Sequence, residues 1–494
     1  MITEILDCSR SCRELLAGEQ RFSVRLLNLN SSRELQSKIF VLIEKLSKLN
    51  VVFLYALFPF LPAICFLLLI RNSLLLLLRN KFFSFTTMAS NRVESLFVSH
   101  LVANKEITCV TDNYFNDLET FCSQELGEAT QTLFLGHGDL KFLKENAAKQ
   151  DLRRIGGRIM ALQALLSLAS LSIRSLFGFV VVLVRSGRNS YKSSFLAVSI
   201  LDCYSLSSWL NEFYARSSLA IVNQSQPKRV FLTMEGHAYE FRTARQMLCS
   251  QSRPRVYSRQ FALLEKQLRG IGDLCSLLSE NYQVLVSGNC YKEHFVRMYK
   301  APASNIFVVG SGKFDLQSSA MNDQTPYTEK HLLFCPEAIS SQVDGFSSLA
   351  EDLIKIVDVP VLFRFHPDSS LHDRERTRER LLMHRAIKIS KDSTLHDDLA
   401  HARVVVYQKS SASLYAVAQG IPLVFKSDSL MEESPLSICN HFREDSVKSA
   451  HDLVKLLMDT SNSQDRPTLA NNVHQLFARL DKNELRKALE IENS

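Results

Sequence analysis

Three short stretches carry residue types that can do chemistry together. In RVFLTMEGHAYE, residues 229–240, an apolar run stops at Glu235, with Gly236 and His237 behind it. In PVLFRFHPDSS, residues 360–370, another stops at Arg364, His366 and Pro367. In RVVVYQKSSASLY, residues 403–415, a third stops at Lys409, Ser410 and Ser411. A carboxylate can take the proton of an attacking hydroxyl. A histidine and serine hydroxyls can stabilise a departing phosphate. These are the parts needed to transfer a group away from a phosphate leaving group.

Glu235 follows an apolar strand, where burial raises a carboxyl pKa and suits it to act as a base. Gly236 lets the chain turn sharply there. The competing reading makes Glu235 the cap of a helix that begins near His237. Glu240, one turn on, reads as structural, holding that helix or a neighbouring loop. His366 can donate a hydrogen bond or a proton to a phosphate. Pro367 fixes its turn and biases it toward extended backbone. Arg364, two residues earlier, shares its face if the strand continues. A helix starts at about Ser411 to Ser413 and ends near Gly420, so its first N–H groups, the serine hydroxyls and Lys409 suit a phosphate. Plain capping by serine is the alternative, and the two are compatible. Gly310 and Gly312, in VVGSGKFD, would let the backbone approach a donor. Pro336 and Glu337, in LLFCPEAISS, would meet its ribose or base.

The elements that must position these residues are short apolar runs, each ending in polar or turn residues. They include QTLFLGHG, KRVFLTMEG, YQVLVSG, NIFVVGSG, HLLFCPE, PVLFRFHP, RVVVYQKSS and IPLVFKS. Their length and β-branched content predict buried strands. Helical stretches are expected at 236–250, 260–280, 345–357, 393–401 and 411–419. Such alternation makes parallel sheets covered by helices, with ligands at the carboxyl ends of strands. Two sheets are expected, one over about 105–290 and one over about 305–460. The second would begin with NIFVVGSG. The domains are drawn at 1–300 and 301–464, with 465–494 as a helix that packs back.

The ordered set resembles a known group. VVVYQKSSASLYAVAQGIPLVF resembles the donor-binding unit of GT-B glycosyltransferases, and FRFHPD the His-Pro motif of bacterial sialyltransferases, Kdo transferases and glycerophosphate polymerases. VFLTMEGHAYEFRTARQML resembles the acidic segment of bacterial surface-carbohydrate biosynthesis proteins. The resemblance covers most of 190–430. It implies two Rossmann-like domains facing across a cleft, Glu235 and His366 as catalytic residues, and a donor held by Arg364, Pro367, Lys409, Ser410, Ser411, Gly310, Gly312 and Glu337. One departure stands out. Family members often carry a Gln-His pair after the strand that follows the acidic motif, where this chain has Arg259 and Gln260 in RVYSRQF.

Composition limits the alternatives. With 494 residues, the chain is too long for one ordinary core. A net charge of +7 without a long basic block does not suggest a dedicated nucleic-acid binder, and the basic excess equally suits an anionic membrane surface or phosphorylated substrates. The eleven cysteines include no C-x-x-C, and they read as reduced core thiols. No D-x-D occurs, and Asp397 and Asp398 fall on an expected helix, so no metal is expected. No P-loop, dinucleotide fingerprint or G-x-S-x-G is present. No cofactor is expected beyond a nucleotide-sugar substrate. Residues 51–70 are twenty without a charge, long enough as a helix to cross a membrane, although Pro59 and Pro62 also suit a re-entrant or buried segment. Residues 159–185 place Arg174 among leucines, as in a helix lying in a bilayer interface. Membrane-associating helices are therefore expected at about 40–82 and 152–188.

The expected activity is transfer of a sugar, with a CMP-activated acidic sugar as the preferred donor. The acceptor would be a lipid-linked surface polysaccharide (O-antigen or capsule) at the cytoplasmic face of the inner membrane. A CDP-linked polyol phosphotransferase and a non-catalytic scaffold of polysaccharide assembly are the alternatives.

Overall fold

The computed structural model describes residues 84–86, 93–102, 114–137, 153–155, 206–264, 269–312, 330–367, 369–391, 394–427, 434–439, 445–459 and 474–489, with isolated positions at 67, 71, 163, 164 and 166. The chain forms two compact units. The first comprises Met1–Phe261, Leu268–Leu285 and Phe295–Ile306, and the second Ala262–Gln267, Val286–His294 and Phe307–Ser494. Both are α/β and Rossmann-like, the composition of a GT-B fold.

In chain order the first sheet and its helices are β1 Ser84–Thr86, β2 Ser95–Val102, α1 Asn116–Thr120, β3 Thr130–His137, β4 Arg153–Ile155, α2 Leu206–Ser225, β5 Arg229–Thr233, α3 Ala238–Leu248, β6 Arg255–Arg259, α4 Arg269–Cys275, β7 Tyr282–Val286, α5 Asn289–Tyr299 and β8 Ile306–Val308. The strand order is β4-β1-β3-β2-β5-β6-β7-β8. From β3 through β7 the pairing is parallel, and the residues of β5, β6 and β7 are almost all buried. That is why these strands read as continuous apolar runs. Register sets Phe97, Phe231 and Tyr257 side by side. Their rings stack at 4.7 and 5.2 Å, and Phe115, just before α1, tilts onto Phe97 at 5.5 Å. Burying each such ring contributes roughly 1.5–3 kcal/mol.

Two expectations are corrected here. NIFVVGSG does not open the second sheet, because β8 closes the first. The sheet is also not wholly parallel, because β1 runs antiparallel to β3 and to β4. Arg153–Ile155 lies in that edge, with Arg154 opposite Phe85, so the helix expected over 152–188 does not begin there.

The second sheet is built from β9 His331–Cys335, β10 Val361–Phe363, β11 Ile387–Ile389, β12 Ala402–Tyr407, β13 Leu423–Lys426 and β14 Asp445–Val447. Its order is β11-β10-β9-β12-β13-β14, parallel throughout. Its helices are α6 Ser340–Ile356, α7 Leu371–Leu381, α8 Leu395–Ala400, α9 Ala412–Ala418, α10 Ala450–Asp459 and α11 Lys482–Ala488. On α6 the buried residues Val343, Phe346, Ala350 and Leu353 recur at helical spacing and join Leu332, Phe334, Val361 and Val404 in one core. The chain starts at β9, builds outward through β10 and β11, then returns to β12 on the other side. The switch point of the sheet therefore lies between β9 and β12.

Within the second unit, residues 476–481 bond to the segments around Ser287 and Ser311. The Ala478 N–H donates to the Ser287 carbonyl, and the Ser311 N–H to the Ala478 carbonyl, both at 2.8 Å; the Asp481 N–H donates to the Val309 carbonyl at 2.9 Å. Gly310, at φ +72°, admits this approach, since a Cβ there would run into the Arg479 carbonyl. Cys290 and Cys439 pair as a disulfide with Cα atoms 5.2 Å apart, which corrects the reading of every cysteine as a reduced thiol. Their separation of 149 residues hides the pair from inspection of spacing.

Among the described residues no helix is long and apolar enough to cross a membrane. The stretches 51–70 and 159–185 lie outside the described residues apart from isolated positions.

Candidate functional site

The acidic turn follows β5 in the first unit. Gly236 takes φ +88°, a left-handed conformation that lets the chain swing from strand to helix across residues 234–237. Glu240 then fixes the turn. Its fully buried carboxylate accepts from the N–H groups of Glu235 at 2.9 Å, Gly236 at 2.8 Å and His237 at 2.9 Å, and from Thr233 Oγ1 at 2.8 Å. The reading of Glu240 as structural describes this geometry, and Glu235 is not the cap of α3. Its side chain instead faces His237, whose Nε2 lies 2.9 Å from Glu235 Oε2. Both side chains are part-exposed, Glu235 at 23% and His237 at 40%.

Electrostatics separates the roles of these groups. Burial pulls the His237 imidazole down. The hydrogen bond and charge of Glu235, with Glu240 behind, outweigh this and push it up to about 9. The shift favours the protonated form of His237, which donates to the Glu235 carboxylate. Burial raises the Glu240 carboxyl to about 7, against the opposing charge of His237. The buried carboxyl with a raised value is thus Glu240.

In the second unit three adjacent strand ends meet at one sheet edge. β10 leads to Arg364, His366 and Pro367, β9 to Pro336 and Glu337, and β12 to Lys409, Ser410 and Ser411. Since β9 lies between β10 and β12, the Glu337 turn stands between the His-Pro turn and the serine turn. The switch point falls between Glu337 and Lys409.

The His-Pro turn is held from α7. Arg374 Nη2 donates to the carbonyls of His366 at 3.1 Å and Pro367 at 2.5 Å. Ser370 caps the same helix and, with Ser340, hydrogen-bonds Asp373, keeping that carboxyl below its usual range. The strand ends at Phe363, so simple alternation does not place Arg364 and His366 on one face. Arg364 turns to the buried Asp398 at 2.5 Å and to Ser390 at 3.0 Å, tying the ends of β10 and β11 to α8. Asp397 caps α8 by accepting from Thr394. Both aspartates of that helix are thus engaged, and no group of acidic, cysteine or histidine side chains with metal-ligand geometry occurs among the described residues.

Ser410 is buried, and its Oγ accepts from the Ala412 N–H at 3.3 Å. Ser411 is exposed and its side chain makes no capping bond. One serine shapes the turn and the other is presented. Gly310 and Gly312 follow β8, the last strand of the first sheet in chain order, and the tight approach at Gly310 is made by the chain's own Arg479. The Arg374 clamp escaped the sequence reading, because Arg374 lies in a charged helical stretch with no distinguishing spacing.

No known family model matches the chain, and no curated protein matches its sequence. Solved structures resemble it distantly. The S. aureus MnaA-UDP co-structure is 9% identical with a TM-score of 0.47, and the match covers 81% of this chain and 98% of that one. A glycosyltransferase from Rickettsia africae is 13% identical with a TM-score of 0.43, covering 82% and 100%. The wall teichoic acid polymerase TagF is 11% identical with a TM-score of 0.35, covering 58% and 74%. Likenesses at this distance say nothing of substrate or activity.

Proposed function

We propose that the protein is a metal-independent, inverting glycosyltransferase of GT-B type. It moves a sugar, by preference a CMP-activated acidic sugar, onto a lipid-linked surface glycan. The observation that carries this reading is the delivery of His366, Glu337 and Lys409–Ser411 by three adjacent parallel strands to the switch point of one sheet. Such crevices take nucleotides in open α/β sheets.

In the proposed step Glu235 takes the proton of the acceptor hydroxyl. The hydroxyl oxygen bonds to the anomeric carbon as the carbon–oxygen bond to phosphate breaks, and that electron pair leaves with the nucleotide. His366 and the Ser411 hydroxyl donate to the phosphate oxygens, with Lys409 adding positive charge. Glu337 accepts from the ribose hydroxyls. A single displacement inverts the anomeric centre. The uncharged stretch 51–70 and the arginine-flanked stretch 159–185 support a reading in which the protein collects its acceptor at the inner-membrane surface.

The test is a thermal-shift panel of CMP, CDP, UDP and GDP, followed by identification of the nucleotide released during turnover. CMP is expected to stabilise most and to be released. Release of glycerol phosphate from a CDP donor would replace sugar transfer with phosphotransfer, and a protein indifferent to every nucleotide is no transferase. Co-sedimentation with anionic vesicles checks the membrane part.

A further inference from the structure

We propose that Arg259 forms an oxyanion site at the carboxyl edge of the first sheet, for a phosphate or carboxylate on the molecule that Glu235 deprotonates. This rests on the reading of Glu235 as base. Arg259 ends β6 and pairs in register with Thr233, while the Met234 N–H donates to its carbonyl at 2.9 Å. It therefore stands one strand over from Glu235 and two residues short of it.

The side chain of Arg259 is fully buried, at 0% exposed. Its Nη2 donates to Asp117 Oδ2 at 3.0 Å. Its Nε and Nη1 have no hydrogen-bond partner among the described residues. Another arginine–carboxylate pair of the first unit is made differently. Arg242, more exposed at 16%, sends both Nε and Nη2 to Glu212. An unmet buried N–H carries a desolvation cost. The more deeply buried Arg259 is the one left with donors to spare.

Asp117 explains how the charge is kept there without filling the site. Burial lowers the Arg259 value and the Asp117 charge opposes it. Asp117 also accepts from the Leu118 N–H at 2.9 Å and is the more exposed partner, at 16%. Its carboxylate is therefore shared between the guanidinium and the Leu118 N–H. A phosphate or carboxylate matches the planar set of guanidinium N–H groups in charge and geometry. An acceptor that places an oxyanion on Arg259 holds its hydroxyl toward Glu235.

The experiment titrates the full-length protein with inorganic phosphate, and in parallel with acetate, by calorimetry and thermal shift. Wild type is expected to bind phosphate or acetate; the arm that responds names the oxyanion. Arg259→Gln should weaken that binding at least about tenfold, and Asp117→Asn, which removes the competing carboxylate, should tighten it about threefold. The response should persist in the Ser410→Ala/Ser411→Ala double variant, which separates it from phosphate held at the serine turn. If Arg259→Gln does not fold, the direction of the Asp117→Asn change decides. Weaker binding in Asp117→Asn, binding indifferent to both changes, or a folded wild type that takes neither anion would each overturn the site. An active Glu235→Gln enzyme with the expected anion results would remove the base and leave the oxyanion site standing.

Discussion

The acidic turn after β5 and the serine turn after β12 solve the same local problem in opposite ways. Both carry the chain from a buried parallel strand into a helix at the carboxyl edge of a sheet. At the acidic turn the N–H groups of residues 235 to 237 are all taken by the Glu240 carboxylate, and the side chains of Glu235 and His237 point out as a pair. At the serine turn Ser410 Oγ accepts from the Ala412 N–H, and Ser411 stays exposed without a capping bond. A turn whose backbone is satisfied from within can offer only its side chains. A turn that presents an uncapped hydroxyl can donate it to an anion. The proposed mechanism assigns proton removal to the first edge and phosphate binding to the second.

The largest effect expected from breaking this contrast is at Glu235. Glu235→Gln should lower transfer by about 10²–10⁴-fold while leaving the nucleotide thermal shift unchanged. Loss of the shift as well would mean that the two edges do not divide the labour. Next, His366→Ala should reduce turnover by about 10²-fold without lowering the melting temperature, since its turn is held through backbone carbonyls by Arg374. Wild-type turnover in that variant would remove His366 from the mechanism. Glu240→Ala should cost about 2–4 kcal/mol in urea denaturation, because it strands three backbone N–H groups and Thr233. The Ser410→Ala/Ser411→Ala double variant should weaken nucleotide binding about tenfold and acceptor binding less. Equal loss on both sides would make the serine turn a cap and nothing more.

The smallest effect is in pH dependence. His237 is raised in the folded state, so its stabilisation is complete below about 6.5 and is lost as pH climbs through about 9. Glu240, also raised, acts with the same sign between the ordinary carboxyl value of 4.5 and about 7. Stability should therefore decline from acid toward pH 9. Glu235→Gln should flatten the upper part of the decline, and Glu240→Gln the lower. A wild type whose stability rises over this range would contradict both assignments.

Fold class and most strand ends were legible in the sequence because burial on both faces writes itself as continuous apolar runs. KRVFLTM, YQVLV, HLLFC and RVVVY all became parallel strands. The expected helix at 411–419 was observed as α9, Ala412–Ala418. β11, Ile387–Ile389, escaped notice because three residues with an exposed lysine between two buried isoleucines make too short a pattern. β8 was assigned to the wrong sheet, since a strand's sequence records its burial and not its neighbour. At the site, the residue types were readable but the partners were not. Nothing local predicts that Arg364 turns to Asp398, or that Arg259 meets Asp117 from 142 residues away. Side chains that find partners across the fold leave no periodicity behind.

The docking of residues 476–481 onto the Ser287 and Ser311 segments has a consequence for synthesis on the ribosome. The edge that receives them is translated well before the segment that covers it. At about 5–20 residues per second, the intervening stretch takes on the order of ten seconds to emerge. During that interval the carbonyls of Ser287 and Val309 have water in place of their later partners, and Gly310 has no backbone against it. A nascent chain stopped before residue 475 would therefore expose this edge as a sticky, unfinished surface. Ribosome-stalled chains released on either side of that point should differ sharply in protease resistance within the second unit.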